Sequence, residues 1–246
     1  QRASPLVMTN AKRFDAIAFD ADDTLWFSED SFRHYENRFV ELVSPFVETG
    51  ANIKAALIAT EQLNISAYGY GVKSFGLSAI ETAITLSSGR IPAEVLQEIL
   101  SGVRAHITES VRLFEGVADV LTQVAQTHRI ILITKGDLAH QTRKVETSGL
   151  AHLFSHVEIV LEKDPAAYSK VLNSLDIDPH RFCMVGNSMK SDILPVLAIG
   201  GFAVHVPYEI LWELDSAESV PEVGARFVEL ATLSELPQWL ATHAPV

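Results

Sequence analysis

The chain of 246 residues contains a single cysteine, Cys183. One thiol can form no internal disulfide and no cysteine-based zinc site, so disulfide scaffolds and zinc ribbons are excluded. Cations are also scarce: 19 Lys and Arg stand against 31 Asp and Glu, a net charge of -12 with histidines neutral. Affinity for nucleic-acid phosphates and for anionic membrane surfaces comes from clustered Lys and Arg, so both partner classes are disfavoured. No apolar run approaches the roughly 20 residues a membrane helix requires. The opening residues, QRASPLVMTNAKRF, lack the apolar stretch of a signal peptide. Internal repeats and low-complexity tracts are missing too. Together these absences lead to the expectation of a cytoplasmic protein.

Hydrophobic residues make up 48% of the chain, enough to bury a sizeable core. Short apolar runs at Ala16–Phe19, Ile130–Thr134, Val157–Leu161, Phe182–Val185 and Phe202–Val206 read as buried strands. Between them, Gly116–Gln126, Pro165–Leu175 and Ile193–Ile199 carry apolar residues at helical spacing. Strands alternating with helices imply an α/β fold, a parallel sheet covered on both faces. Residues 28–108 break the rhythm. Phe32, Tyr35, Phe39, Leu42, Val43 and Phe46 recur every three or four positions, and Ala51–Leu63, Ser78–Leu86 and Ala93–Ile107 continue helically. The expected organisation is a core of residues 11–27 and 109–246 with an inserted helical subdomain, 28–108. From Pro207 onward, seven acids face Arg226 alone, which reads as a solvated acidic face.

Asp20-Ala21-Asp22-Asp23-Thr24 follows the first strand directly. Three carboxylates this close repel one another unless a cation joins them. A calcium-binding EF-hand loop fails on register, with Leu25 where the glycine belongs and Ser31 where the bidentate Glu belongs. Other polar groups end other strands: Thr134 with Lys135-Gly136-Asp137, then Lys163, then Gly186-Asn187-Ser188 with Asp192 beyond. In open parallel sheets, ligands bind at the carboxyl ends of the strands, and all four groups fall there. Lys170 competes with Lys163 for its role but lies inside a helix. Cys183, within an apolar run, reads as a buried small hydrophobe. His152 and His156, four residues apart without a further ligand, read as structural or surface residues.

These motifs resemble those of the haloacid dehalogenase (HAD) superfamily, in order and over essentially the whole chain: FDADDTLW, ILITKGD, LEKDPAAY and GNSMKSD. The resemblance implies a Rossmann-like three-layer core with a C1-type helical cap. It implies a Mg²⁺-dependent phosphatase acting on a small phosphorylated metabolite. Asp20 is then the nucleophile that forms an aspartyl-phosphate, and Asp22 the general acid and base. Dehalogenases of the superfamily usually lack that second Asp. Thr134, Lys135 and Lys163 would hold the phosphoryl oxygens, and Asp20, Asp22 (through its main-chain carbonyl), Asn187 and Asp192 would hold the metal. Asn187 departs from the Asp common at its position and removes one negative charge from the metal site. Two alternatives therefore stay open: a phosphomutase, and a weakly active or non-catalytic phosphate-binding member. In the cap, Tyr68, Tyr70 and Lys73 flank a glycine-flexible link and are candidates to read the leaving group. Trp26 and Phe27 line the entrance or pack the core–cap junction.

Overall fold

The computed structural model describes residues 14–209 and 226–242. Half of the acidic C-terminal stretch and residues 11–13 of the expected core lie outside them. Among the described residues, six strands form one all-parallel sheet: β1 (Ala16–Phe19), β2 (Arg129–Lys135), β3 (His156–Val160), β4 (Phe182–Gly186), β5 (Phe202–His205) and β6 (Phe227–Glu229). Their order is β3-β2-β1-β4-β5-β6, so the first strand lies centrally and the chain winds outward on both sides.

Alternation along each central strand feeds two hydrophobic layers. Ile17, Phe19, Ile130, Leu132, Cys183 and Val185 face one cluster, while Ala16, Ala18, Ile131, Ile133, Phe182 and Met184 face the other. The first layer is closed by α5 (Val117–Ala125), α6 (Leu138–Thr147) and α9 (Leu236–Thr242), which contribute Leu121, Val145 and Trp239. The second is closed by α7 (Pro165–Ser174) and α8 (Leu194–Ala198), through Tyr168, Leu172 and Val196. Both faces of the sheet are covered, which is why the central strands read as unbroken apolar runs. Cys183 is fully buried, as its surroundings in the sequence indicated.

Between β1 and α5 the chain builds four further α-helices: α1 (Glu29–Val43), α2 (Ile53–Tyr68), α3 (Val72–Leu86) and α4 (Ala93–Thr108). They pack around a third apolar cluster of their own, including Phe39, Leu57, Phe75 and Ile99. Three local differences from the sequence reading stand out. α6 and β6 went unread, and α3 begins at Val72, so the link between α2 and α3 is only residues 69–71. No described helix is long and apolar enough to cross a membrane.

Candidate active site

Strand register brings the four motifs to one edge. Phe19 pairs with Leu132 on one side and Val185 on the other. Asp20 therefore begins one residue past β1 beside Gly186, with its N–H donated to the Val185 carbonyl at 2.9 Å. Thr134 is the penultimate residue of β2, and Lys163 lies in the loop just after β3. Asp192 sits in a single wide helical turn, Met189–Ile193, that follows β4. Such π-type turns are uncommon and often accompany functional sites. Gly186 makes the turn possible, because a Cβ there would lie 2.2 Å from Asp192 Oδ2.

Lys163 is the hub. Its buried ammonium lies 2.5 Å from Asp20 Oδ1 and 2.7 Å from Asp192 Oδ1. Burial alone would weaken its hold on the proton; the carboxylates of Asp192 and Asp20 reverse that and hold its pKa well above the usual lysine range. Burial pushes Asp20 up to about 7, with Lys163 pulling the other way and Asp192 adding to the rise. Asp192 Oδ2 also accepts the Ser188 N–H at 3.0 Å. Asp192 thus orients Lys163 and the loop as well as facing the cavity.

Asp22 is held by different donors. Trp26 Nε1 and Lys144 Nζ donate to Oδ1 at 2.7 and 2.8 Å, and Gln141 Nε2 to Oδ2 at 3.0 Å. Burial acts to raise this carboxyl, but the charge and hydrogen bond of Lys144, with Trp26 and Gln141, bring it below the ordinary aspartate value. Gln141 Nε2 also donates to Thr134 Oγ1 at 2.8 Å, which leaves the threonine's own proton available for a ligand. Gln141 and Lys144 went unread in the sequence, and Trp26 was placed without its hydrogen bond. Asp23 adopts a left-handed backbone at φ 60° and caps α1 by accepting from Ser28 and Glu29 N–H.

A partly open cavity of about 130 Å³ is lined by Asp20, Asp22, Thr134, Lys135, Lys163, Asn187 and Asp192 on the sheet side. Glu29, Phe32, Glu61 and Tyr70 line it from the helical side. Tyr70 donates to Glu162 at 2.6 Å, and Lys135 Nζ sits 4.4 Å above its ring. Gly71, at φ +107°, presses on the loop after β2, where a Cβ would lie 2.9 Å from the Asp137 nitrogen. Tyr68 and Lys73 do not join the lining. Tyr68 ends α2 half exposed, and Lys73, already on α3, pairs with Asp137 at 3.1 Å. His156 pairs with Glu158 at 2.8 Å, away from the cavity.

For a divalent metal, the relevant observation is convergence of hard oxygens. Asp20, Asn187 and Asp192 line one cavity, and the Thr24 hydroxyl, 3.1 Å from Asp20 Oδ2 and 3.3 Å from Asn187 Oδ1, ties two of their oxygens together. Among the described residues, no three His, Cys, Asp or Glu side chains gather as a metal cage. That set fits Mg²⁺, which takes one or two carboxylates and keeps water and substrate oxygens as its other ligands.

The fold and this edge define an α/β protein with buried carboxylates gathered at the carboxyl ends of its parallel strands. A family model for haloacid dehalogenase-like hydrolases matches residues 14–200, and the chain belongs to that family. A haloacid dehalogenase-like family hydrolase of Xanthomonas campestris is 37% identical, with 98% of this chain and 96% of that one covered and a TM-score of 0.83. Two further structures share the fold. The HAD-hydrolase YfnB of Bacillus subtilis, solved with magnesium, is 17% identical (93% and 99% covered, TM-score 0.60). The L-2-haloacid dehalogenase of Xanthobacter autotrophicus is 16% identical (94% and 100% covered, TM-score 0.65). No curated protein matches the sequence.

Proposed function

We propose that this hydrolase is a Mg²⁺-dependent phosphatase of small phosphomonoesters, with residues 28–108 as its cap. The observation that carries the reading is the pair of carboxylates on separate anchors in one cavity: Asp20 on Lys163, and Asp22 on Lys144, Gln141 and Trp26. An Asp20 oxygen attacks phosphorus, the ester P–O bond breaks, and the alkoxide leaves with a proton from Asp22. Water then gives its proton to Asp22 as it attacks the aspartyl-phosphate, releasing inorganic phosphate and restoring Asp20. Lys144 holds Asp22 in the proton-accepting form suited to the second step, so delivery of a proton in the first requires that pair to loosen. Lys163, Lys135 and the free Thr134 proton are placed to neutralise phosphoryl oxygens. Asp20, Asn187 and the Asp22 main-chain carbonyl, with Asp192 nearby, would hold Mg²⁺, which would supply the positive charge that eases approach of a carboxylate to a phosphate dianion.

The test is Asp20→Asn with p-nitrophenyl phosphate and Mg²⁺. We expect phosphate release to fall at least about a thousandfold with the circular dichroism spectrum unchanged. Retained activity would overturn the nucleophile. Halide release from 2-chloropropionate without phosphate release from any ester would replace the reading by dehalogenation. Isomerisation of a hexose phosphate without phosphate release would replace it by a mutase, and no turnover at any Mg²⁺ concentration by a binding protein.

A further inference from the structure

A second cavity, about 390 Å³, opens on the other side of Lys144, between the two chain segments that join the helical block to the sheet domain. Phe27, Ser28, Asp30 and Ser31 line it from one segment and Glu109, Ser110, Val111 and Arg112 from the other. Its floor is buried and basic or imidazole in character: His106, His140 and Lys144. His34, Ser110 and Arg112 stand exposed at its mouth.

Hydrogen-bonding capacity decides what it could hold. Both lining carboxylates are engaged: Glu109 accepts from Ser31 at 2.6 Å, and Asp30 accepts from Tyr208 at 3.2 Å and lies 3.8 Å from Arg112. The imidazoles are not. His106 is 97% buried, its Nδ1 has no hydrogen-bond partner among the described residues, and its ring stacks on Tyr35 at 4.6 Å with Phe32 and His140 edge-on. No described group hydrogen-bonds to the rings of His34 or His140 or to the Ser110 hydroxyl. Lys144 spends two protons, on Asp22 at 2.8 Å and Ser28 Oγ at 3.3 Å, and keeps a third. A buried polar atom without a partner is costly, so the unmet demand is concentrated at the floor and consists mainly of groups able to donate.

We propose that this cavity binds a small oxyanion, phosphate or a carboxylate of similar size, with Lys144 in its floor linking it to Asp22 of the catalytic cavity. An occupant that accepts a hydrogen bond from the remaining Lys144 proton draws the ammonium's charge away from Asp22, weakens that anchor and lowers turnover without competing for the substrate position. The binding step stands by itself; the effect on turnover rests on the phosphatase reading.

Sulfate is the probe, titrated into the Mg²⁺-loaded full chain by calorimetry and assayed as an inhibitor. The comparison is a double variant of mouth residues outside the catalytic machinery, His34→Ala with Arg112→Met. We expect two sulfates per wild-type chain and one per variant chain, and an effect of sulfate on kcat that drops at least fivefold in the variant. Identical isotherms, or sulfate inhibition in the wild type that is purely competitive, would overturn the site. If no phosphomonoester is turned over, the phosphatase reading fails, and the isotherms still decide the binding. Inorganic phosphate and acetate in place of sulfate then distinguish the two oxyanion sources.

Discussion

A histidine that stays neutral in the folded state makes stability depend on pH, and His106 is the clearest case here. Burial, with the charge of Lys144 next, lowers its pKa to about 3, and the same two causes lower His140 to about 4. In the unfolded chain both take a proton near 6.5. Because the folded pKa is depressed, their contribution is complete above 6.5 and is lost as the pH falls from there towards 3 to 4. Buried acids work in the opposite sense: burial raises Asp23 and Glu61 to about 7 and Glu29 to about 8, so they favour folding more as the pH falls. The net pH profile therefore mixes both, and a difference experiment isolates the histidine. His106→Phe keeps a ring against Tyr35. Between pH 7.5 and 5.5 its unfolding free energy in urea should gain about 1 kcal/mol relative to wild type, since the wild type alone bears the cost of an imidazole that cannot ionise. An unchanged difference would mean that His106 titrates normally.

At the scale of elements, α6 carries more of the proposed chemistry than any other helix. Gln141 and Lys144, three residues apart, share one face and reach the two oxygens of Asp22. Lys144→Met removes the charged anchor and keeps the aliphatic stem. Turnover of an alkyl phosphate should then fall by about 10² to 10³ with KM nearly unchanged, because a misplaced acid and base slows the chemistry and not the binding. With p-nitrophenyl phosphate, whose leaving group needs no proton, the formation of the phosphoenzyme should suffer less, and Lys144→Arg should restore part of the loss. Equal losses on both esters, or a parallel rise in KM, would assign Lys144 to structure alone. This same face explains why α6 was illegible in the sequence. Its buried positions are His140, Gln141, Lys144 and Val145, so the apolar stripe by which α5 and α7 were read is replaced by polar groups turned to the site. β6 escaped for a different reason: three partly exposed residues at a sheet edge show no alternation. The link of residues 69–71 was read too long because Gly71 and Gly76 interrupt the start of α3, where small residues admit close packing against Asp137 and Val103. By contrast, Asp20, Thr134, Lys163 and Asn187 were legible as a group. Each follows an apolar run, and a parallel sheet must bring such positions to one edge.

For the molecule as a whole, the proposed phosphatase activity raises the question of how an acidic protein would admit an anionic ester. Half of the net charge of -12 belongs to the residues from Pro207 onward, and salt screens charge beyond about 8 to 10 Å, whereas Lys135 and Lys163 stand within the cavity itself. The cavity is therefore polarised. Its sheet end carries both lysines, and its helical end carries Glu29 and Glu61 between Phe32 and Tyr70, with no cation among the lining residues. Glu61 has no ion-pair or hydrogen-bond partner among the described residues, and Glu29 has only Arg33, at 3.7 Å. With the phosphoryl group at the lysines, the leaving group meets carboxyls and aromatic rings. A second anionic group on the substrate would be repelled there, while a neutral or ammonium-bearing alcohol would not. Phosphoethanolamine and glycerol phosphate should thus exceed phosphoglycolate in kcat/KM by about tenfold or more, a difference of about 1.4 kcal/mol or more. The carboxyls that enforce this ionise near 7 to 8, burial being the main cause. Discrimination against phosphoglycolate should accordingly widen from pH 6 to pH 8.5, and Glu61→Gln should flatten that widening. A substrate ratio that ignores pH and Glu61 would place the leaving group elsewhere than under the helical block.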